Sequence, residues 1–173
     1  MTKKQLFFIL LSISVFQIVH AQNITPDTAI NRNLHLYADG YTKAIGVKMY
    51  PGSLTYKSFY NPTKAIESSG YITLDGLWLS IVNEIYTPIK DDDQLTWFYG
   101  YGGHLGIWSE EWRRKNNYTD KSNISVGIDG ILGLDYKLKN TPINLSIDWQ
   151  PSFSLIQTYF KNQGGIGIRY TFK

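Results

Sequence analysis

The feature that most constrains this chain is a period-two alternation of apolar and polar residues, which is clearest in its last third. In residues 124–138, alternate positions are apolar or glycine, and the positions between them are mostly glycine, serine, aspartate or lysine. The same alternation occupies residues 143–155 and 165–173. Because successive side chains of a β-strand point to opposite faces, the pattern predicts strands with one apolar face, and no helical period competes with it.

Shorter stretches of the same kind occur earlier in the chain and complete a set of eight predicted strands. Turn signals such as Pro51-Gly52, Asp75-Gly76 and Asn140-Thr141-Pro142 separate the stretches. A chain of 173 residues suits one domain. The five earlier strands are predicted at residues 44–49, 54–60, 65–74, 77–86 and 95–108.

Composition indicates which face is inside. The polar face of the last three strands has 18 positions, of which four are glycine, four are serine and only six are charged. The opposite face carries no charge but includes Trp149 and Phe153, which are too bulky for an eight-stranded interior. Small residues with a few charges are typical of a narrow lumen, so the sequence predicts a membrane barrel with its apolar face outward. A soluble periplasmic barrel that binds a small apolar ligand is the alternative.

The first residues have the features of a secretory signal peptide. Lys3 and Lys4 precede a short apolar run, and Val19-His20-Ala21 resembles a cleavage site, which predicts a cleaved signal peptide over residues 1–21. Residues 22–33 are predicted to be a flexible lead-in and residues 34–173 to form the barrel. The absence of cysteine excludes a disulfide framework. The near-neutral charge gives no electrostatic footprint for nucleic acid.

The ending of the chain resembles the terminal-strand signal of bacterial outer-membrane barrels, with Gly167, Tyr170 and Phe172 at the positions that carry it. Gly165 and Lys173 depart from that pattern. Overall the chain resembles the small OmpA-type and OmpX-type barrels, as architecture over residues 34–173 and as a motif only in the last strand. The resemblance implies a monomeric, eight-stranded antiparallel transmembrane β-barrel in the bacterial outer membrane. It also implies contact with the lipid bilayer and, during assembly, with the insertion machinery.

Charged residues on the predicted lumen face should pair, because an unpaired buried charge is unfavourable. We therefore predict a side-chain-filled lumen plugged by an ion network, with a narrow pore as the alternative. In this network Arg169 is expected to find an acidic partner in Asp148 on the preceding strand, with Lys48 or Glu67 as further members. The predicted members are Lys48, Lys57, Glu67, Glu84, Asp129, Asp135, Lys137, Asp148 and Arg169.

The connection over residues 109–122 is the longest in the predicted barrel and is the candidate for contact with a partner. It combines basic and aromatic residues, and its basic groups suit the phosphates of lipopolysaccharide. A hydrated loop without a partner is the alternative. The predicted contact residues are Trp112, Arg113, Arg114, Lys115 and Tyr118.

His104 is the residue on which a catalytic hypothesis would rest, since a hydrolase of the serine type needs a histidine near a serine and a carboxylate. Lipid A deacylases of this barrel class use a His-x-Ser element, whereas this chain has His104-Leu105-Gly106. We therefore expect a hydrogen-bonded interior histidine and a non-catalytic protein without cofactor or metal. Its predicted role is structural or interactive at the cell surface, and the alternatives are a lipid-modifying enzyme or a narrow pore.

Overall fold

The computed structural model describes residues 41–89, 92–115, 123–156 and 158–173. The predicted signal peptide and lead-in lie outside the described residues. Eight strands and one short helix make up the described part of the chain. In chain order they are β1 (Lys43–Lys48), β2 (Ser53–Asn61), β3 (Lys64–Thr73), β4 (Gly76–Ile89), β5 (Asp92–Trp108), α1 (Glu110–Lys115), β6 (Ile124–Lys137), β7 (Ile143–Ser154) and β8 (Tyr159–Phe172).

The strands form a closed antiparallel barrel in sequence order, as predicted. Each strand pairs with the next, and β1 pairs with β8 to close the sheet. At this seam Lys43 lies opposite Phe172, and Lys48 lies opposite Gly167. Closure leaves no sheet edge, so every strand has two hydrogen-bonded neighbours.

The first three strands lie within one residue of their predicted bounds, whereas β8 begins at Tyr159 and not at residue 165. The early part of β8 places Lys161 and Gln163 inward, and it carries Asn162 as well as Phe160 on the other face. Polar residues on both faces hide the alternation, although pairing with β7 continues up to Tyr159. The prediction therefore missed the mouth of the barrel, where the wall is no longer apolar on one side.

The two faces of the wall differ in the way that the composition predicts. Ile147 is 55% exposed, whereas its neighbours Ser146 and Asp148 are buried. Large apolar side chains of all eight strands lie exposed on the outside, and the buried set includes most of the polar and charged strand residues. Within the described residues, no helix has the length and apolar character needed to cross a membrane.

The barrel has two distinguishable ends. The terminal end is where β1 begins and β8 ends, and the helix end is where α1 follows β5. Two separate clusters of apolar and aromatic residues lie inside the wall. One contains Tyr41, Ala44, Phe59, Ala65, Val82, Tyr86, Phe98 and Ile131. The other, at the helix end, contains Tyr71, Trp78, Trp108, Trp112 and Tyr159. We call the second set the aromatic cap.

Candidate functional site

An ion network lies inside the barrel wall, formed by one residue from each of seven strands. It has three cations and four carboxylates, and all seven side chains are buried. Asp135 and Arg169 lie within three residues of the ends of β6 and β8 at the terminal end. The members are Lys48, Lys57, Glu67, Glu84, Asp135, Asp148 and Arg169.

Lys57 is the hub of the network on the side of β4 and β6. Its ammonium nitrogen lies 3.0 Å from a carboxylate oxygen of Glu84 and 3.1 Å from one of Asp135. Lys57 also donates to the hydroxyl of Tyr86, which in turn donates to Glu84 over 2.8 Å. The amide of Asn144 donates to Asp135. Each buried charge on this side thus has more than one polar partner, which is what burial of charge requires.

Glu67 is the hub on the other side, and here one expectation is wrong. Arg169 lies 2.7 Å from Glu67, and Glu67 also lies 2.6 Å from Lys48. Asp148 instead pairs with Lys48 at 3.2 Å. The strand register explains the difference, because it sets Arg169 opposite Asn144, four residues from Asp148 along β7.

Two of the predicted members lie apart from the network. Lys137, at the end of β6, donates to the backbone carbonyls of Leu138 and Thr141. Asp129 is buried too, but its ion-pair partner is His104. The nine predicted charges thus divide into a network of seven, one rim lysine and one carboxylate that belongs to a second cluster.

The second cluster follows from the strand register near the helix end. His104 of β5 lies opposite Gly127 of β6, which lies opposite Ser154 of β7. A Cβ atom at Gly127 would lie 2.5 Å from the imidazole carbon Cε1. Because Gly127 has no side chain, the imidazole crosses β6 and reaches the hydroxyl of Ser154.

This cluster, which we call the relay, connects a carboxylate, an imidazole and a series of hydroxyls. Nδ1 of His104 lies 2.6 Å from Oδ1 of Asp129, and Nε2 lies 2.9 Å from Oγ of Ser154. With Asp129 ionised, its carboxylate only accepts hydrogen bonds, and Nδ1 is then the protonated ring nitrogen. Beyond Ser154, the hydroxyls of Ser125 and Tyr159 continue the chain over 2.8 and 3.1 Å.

The relay has a defined direction. Trp108 donates its indole N–H to the hydroxyl of Tyr159 over 2.9 Å, and an indole can only donate. When the imidazole is neutral, Ser154 donates to Nε2, and the remaining hydroxyl protons then all point toward Asp129. The other oxygen of Asp129 accepts from Ser80 over 2.9 Å. The sequence predicts a hydrogen-bonded interior histidine, and the structure adds a serine and a carboxylate in line with it.

The aromatic cap closes over the relay at the helix end. Trp112 of α1 stacks on Trp108 with ring centroids 4.4 Å apart, and it meets Tyr159 edge-on at 5.6 Å. Lys161 places its ammonium 4.8 to 4.9 Å from the ring centroids of Tyr71, Trp78 and Trp108. Such distances are typical of cation–π contacts.

The loop predicted as a contact surface divides into two parts. Trp112 packs into the aromatic cap. Helix α1 begins one residue after Ser109, and the hydroxyl of Ser109 accepts a hydrogen bond from the backbone N–H of Trp112. Arg113 is partly buried, whereas Arg114 and Lys115 are exposed. Tyr118 lies outside the described residues. The described part of the loop therefore presents basic groups outward and its tryptophan inward.

The residues of the terminal-strand motif occupy different faces of β8. Tyr170 is exposed on the outside and stacks with Phe172, with ring centroids 6.5 Å apart. Gly167 faces inward, where a Cβ atom would lie 2.4 Å from the hydroxyl oxygen of Ser146. The glycine leaves room for Ser146 to accept a hydrogen bond from Arg169 over 2.7 Å.

The described residues hold no group of three or more histidine, cysteine, aspartate or glutamate side chains in a metal-binding arrangement. Four interior residues were not predicted from the sequence: Tyr86, Asn144, Ser125 and Ser154. Tyr86 and Asn144 bond to the predicted Asp135, Ser154 bonds to the predicted His104, and Ser125 bonds to Ser154. All four fall on alternate positions of their strands that face inward. The signal that would have found them is the cross-strand register, which the alternation does not contain.

Comparisons with known proteins bear on the fold. The chain is similar to a crystal structure of the N-terminal β-barrel domain of OprF from Pseudomonas aeruginosa, with a TM-score of 0.54. The two are 13% identical, and the match covers 75% of this chain and 95% of that one. No protein-family model and no curated protein sequence matches the chain. The predicted resemblance to small eight-stranded outer-membrane barrels is confirmed as a resemblance of fold.

Proposed function

We propose that this chain is an integral barrel of the bacterial outer membrane with a structural or cell-surface role. The observation that carries the proposal is the inverted burial, with apolar side chains exposed and charged side chains enclosed. A soluble barrel would leave this apolar surface in water, whereas a bilayer covers it. A closed barrel also satisfies the backbone hydrogen bonds that hydrocarbon cannot.

Aromatic residues on the outer wall support this placement. Trp97 and Tyr99 stack with ring centroids 5.6 Å apart, and Tyr136 and Tyr170 are likewise exposed toward the terminal end. Girdles of such residues mark the two interfaces of outer-membrane barrels. Outer-membrane barrels have short periplasmic turns and longer extracellular loops, and the long connection after β5 lies at the helix end, which favours an orientation with the terminal end in the periplasm and α1 outside the cell.

The helix end would then be the cell-surface face. Its long connection carries the exposed Arg114 and Lys115, which suit the phosphates of lipopolysaccharide. We further propose that the protein is a monomer surrounded by lipid. The insertion machinery would recognise the end of β8 during assembly. The two aromatic clusters and the ion network occupy the interior, which favours a plugged barrel over a narrow pore.

Membrane extraction tests the placement. The expressed protein should stay with the membrane fraction after carbonate washing, and it should migrate faster in gels when unheated than when boiled. A soluble periplasmic barrel would wash out, and this result would overturn the proposal.

Loop replacement tests the surface role. Replacing residues 112–118 with a short Gly/Ser turn should leave the barrel inserted and should lower binding to lipopolysaccharide-coated beads. Arg114→Gln together with Lys115→Gln separates charge from the packing of Trp112 and should lower binding to a similar degree. Full binding by both variants would place the contact elsewhere, with residues 156–163 as the next candidate.

A second candidate function, an enzyme, is favoured by one observation. The sequence disfavours catalysis, because Gly106 stands where a His-x-Ser element starting at His104 would have its serine. The fold nevertheless brings Ser154 and Asp129 to its two ring nitrogens.

A further inference from the structure

We propose that Ser154 is a nucleophilic serine, with His104 as its base and Asp129 as the group that orients the base. The chemical class of substrate is a carboxylic ester, which would transfer its acyl group to Ser154. The proposal stands apart from the membrane placement and the surface role. If it holds, the expectation of a non-catalytic protein is wrong.

The geometry assigns each group one role. A serine hydrolase needs a hydroxyl at one imidazole nitrogen and a buried carboxylate at the other. Ser154 lies 2.9 Å from Nε2 of His104, and Asp129 lies 2.6 Å from Nδ1. The carboxylate thus holds the ring in the tautomer that leaves Nε2 free to accept the serine proton. Such geometry, and not sequence position, identifies the arrangement.

Neighbouring groups hold the three members in place. The imidazole of His104 stacks on the ring of Trp78 with centroids 4.0 Å apart. Asp129 is fixed by Ser80, which in turn accepts a hydrogen bond from Gln150 over 2.8 Å. A base whose orientation is fixed before the reaction begins needs no rearrangement when the proton moves.

The ion pairs of the described residues also separate the relay from the ion network. Among the described residues, Asp129 forms its ion pair with His104, and no lysine or arginine pairs with it. The imidazolium that forms when Ser154 gives up its proton would therefore face an adjacent carboxylate whose charge is not matched by another cation. This is the electrostatic situation that stabilises the protonated base.

The reaction balances with water as the only other reactant. Oγ of Ser154 forms a bond to the ester carbonyl carbon while its proton passes to Nε2 of His104. The bond from that carbon to the leaving oxygen breaks, and the leaving alcohol takes the proton from Nε2. Water then attacks the acyl-serine by the same route, which releases the carboxylic acid and restores the serine.

The surroundings set the direction of access, because Ser154 and Ser125 are fully buried and an ester reaches them only by displacing the aromatic cap. Ser154 is the last residue of β7 at the helix end, and it is connected through Ser125 to Tyr159 of the aromatic cap. An ester would enter from the helix end, beside Trp112. Ser125, 2.8 Å from Ser154, is the nearest hydroxyl donor for the developing oxyanion.

A fluorophosphonate probe tests the assignment on the full chain folded in lipid vesicles. The probe phosphorus bonds to a serine oxygen, fluoride leaves, and the serine proton passes to the base. We expect labelling of the folded protein at Ser154, located by peptide mass spectrometry. Ser154→Ala should abolish it, and His104→Gln should slow it about a hundredfold or more. Ser152→Ala, a buried serine two residues away on the same face, is the matched control and should label normally.

Two further measurements keep the result decisive. Heat-modifiable gel mobility shows that each variant is folded, so that lost labelling is not lost structure. Trp112→Gly opens the cap and should speed labelling, as well as the hydrolysis of p-nitrophenyl acetate. Absence of labelling in both the folded wild type and Trp112→Gly would overturn the proposal. So would labelling of Ser154 that persists unchanged in His104→Gln, since the relay would then play no part.

Discussion

The ion network and the relay bury charge inside the same barrel in different ways. In the ion network, Lys57 and Glu67 each contact at least two groups of opposite charge, and ionic side chains are paired with one another. In the relay, Asp129 meets one imidazole and a hydroxyl, and the rest of the cluster consists of neutral dipoles. One region is held by the matching of ions, and the other by the direction of its hydrogen bonds.

This difference predicts how each region responds to the loss of a member. Removal of an ion from the network leaves a buried charge of opposite sign, which is strongly unfavourable. Removal of a group from the relay leaves hydroxyls that can rotate toward other acceptors, at a smaller penalty. A region of the first kind suits a permanent plug, whereas a region of the second kind can pass a proton along.

The largest effect is expected for Arg169→Met. The change leaves Glu67 with fewer cations in a buried site, so the free energy of unfolding should fall by about 3–5 kcal/mol. Urea titration in lipid vesicles, followed by tryptophan fluorescence, measures it. Arg114→Met on the exposed side of α1 is the control and should change little. A loss below about 1 kcal/mol, with large ion conductance, would mean a hydrated pore in place of a plug.

A cation on the outer wall should be the next most damaging. Ile147→Arg puts a charge on the outer face of β7, which the proposed bilayer covers, and should cost about 2–4 kcal/mol at mid-depth. Folding into vesicles and urea titration measure the effect. Ser146→Ala, one residue away and facing inward, should be much milder. Equal tolerance at the two positions would reverse the assignment of the faces.

The relay should respond less than the network. Ser125→Ala removes the hydroxyl between Ser154 and Tyr159 and leaves both with one hydrogen bond fewer, which should cost about 1–3 kcal/mol in the same titration. Ser152→Ala is the matched control, since Ser152 is buried on the same face without a hydrogen bond among the described residues. A loss as large as that of Arg169→Met would erase the distinction between the two regions.

The smallest effect is expected in the aromatic cap. Lys161→Met keeps the length of the side chain but removes the ammonium that faces three rings, and should cost about 0.5–2 kcal/mol. Lys161→Arg, which preserves the charge, should retain most of the stability. If Lys161→Met is more stable than the wild type, the rings gain nothing from the cation, and the cap is held by aromatic packing alone.

Most of the wall could be predicted from sequence, because the alternation is local. Residues 124–138 predict β6 to within one residue, since outward and inward positions differ in nearly every pair. The same reasoning found the charged residues that face inward. It stopped at β8, where both faces of residues 159–164 are polar.

The contacts inside the barrel could not be predicted, because they depend on how one strand is shifted against the next. Placing Ser154 beside His104 requires two successive registers, through Gly127. The pairing of Arg169 with Glu67 links residues of β8 and β3, which are not adjacent in the sheet. An alternation that repeats every two residues is compatible with many such shifts, so it gives the face of a residue but not its partner.

The seam between β1 and β8 has a consequence for how the barrel is made. It joins the first described strand to the last across more than a hundred residues, through only six residue pairs. Until β8 is synthesised, β1 keeps one row of backbone groups without a partner, which hydrocarbon would penalise. In the membrane placement that we propose, the sheet would therefore have to insert as a nearly complete unit. We expect closure to be slow, because conformational entropy is lost in bringing the distant chain ends together before strand pairing stabilises them. The seam between β1 and β8 is then the last strand pairing to form.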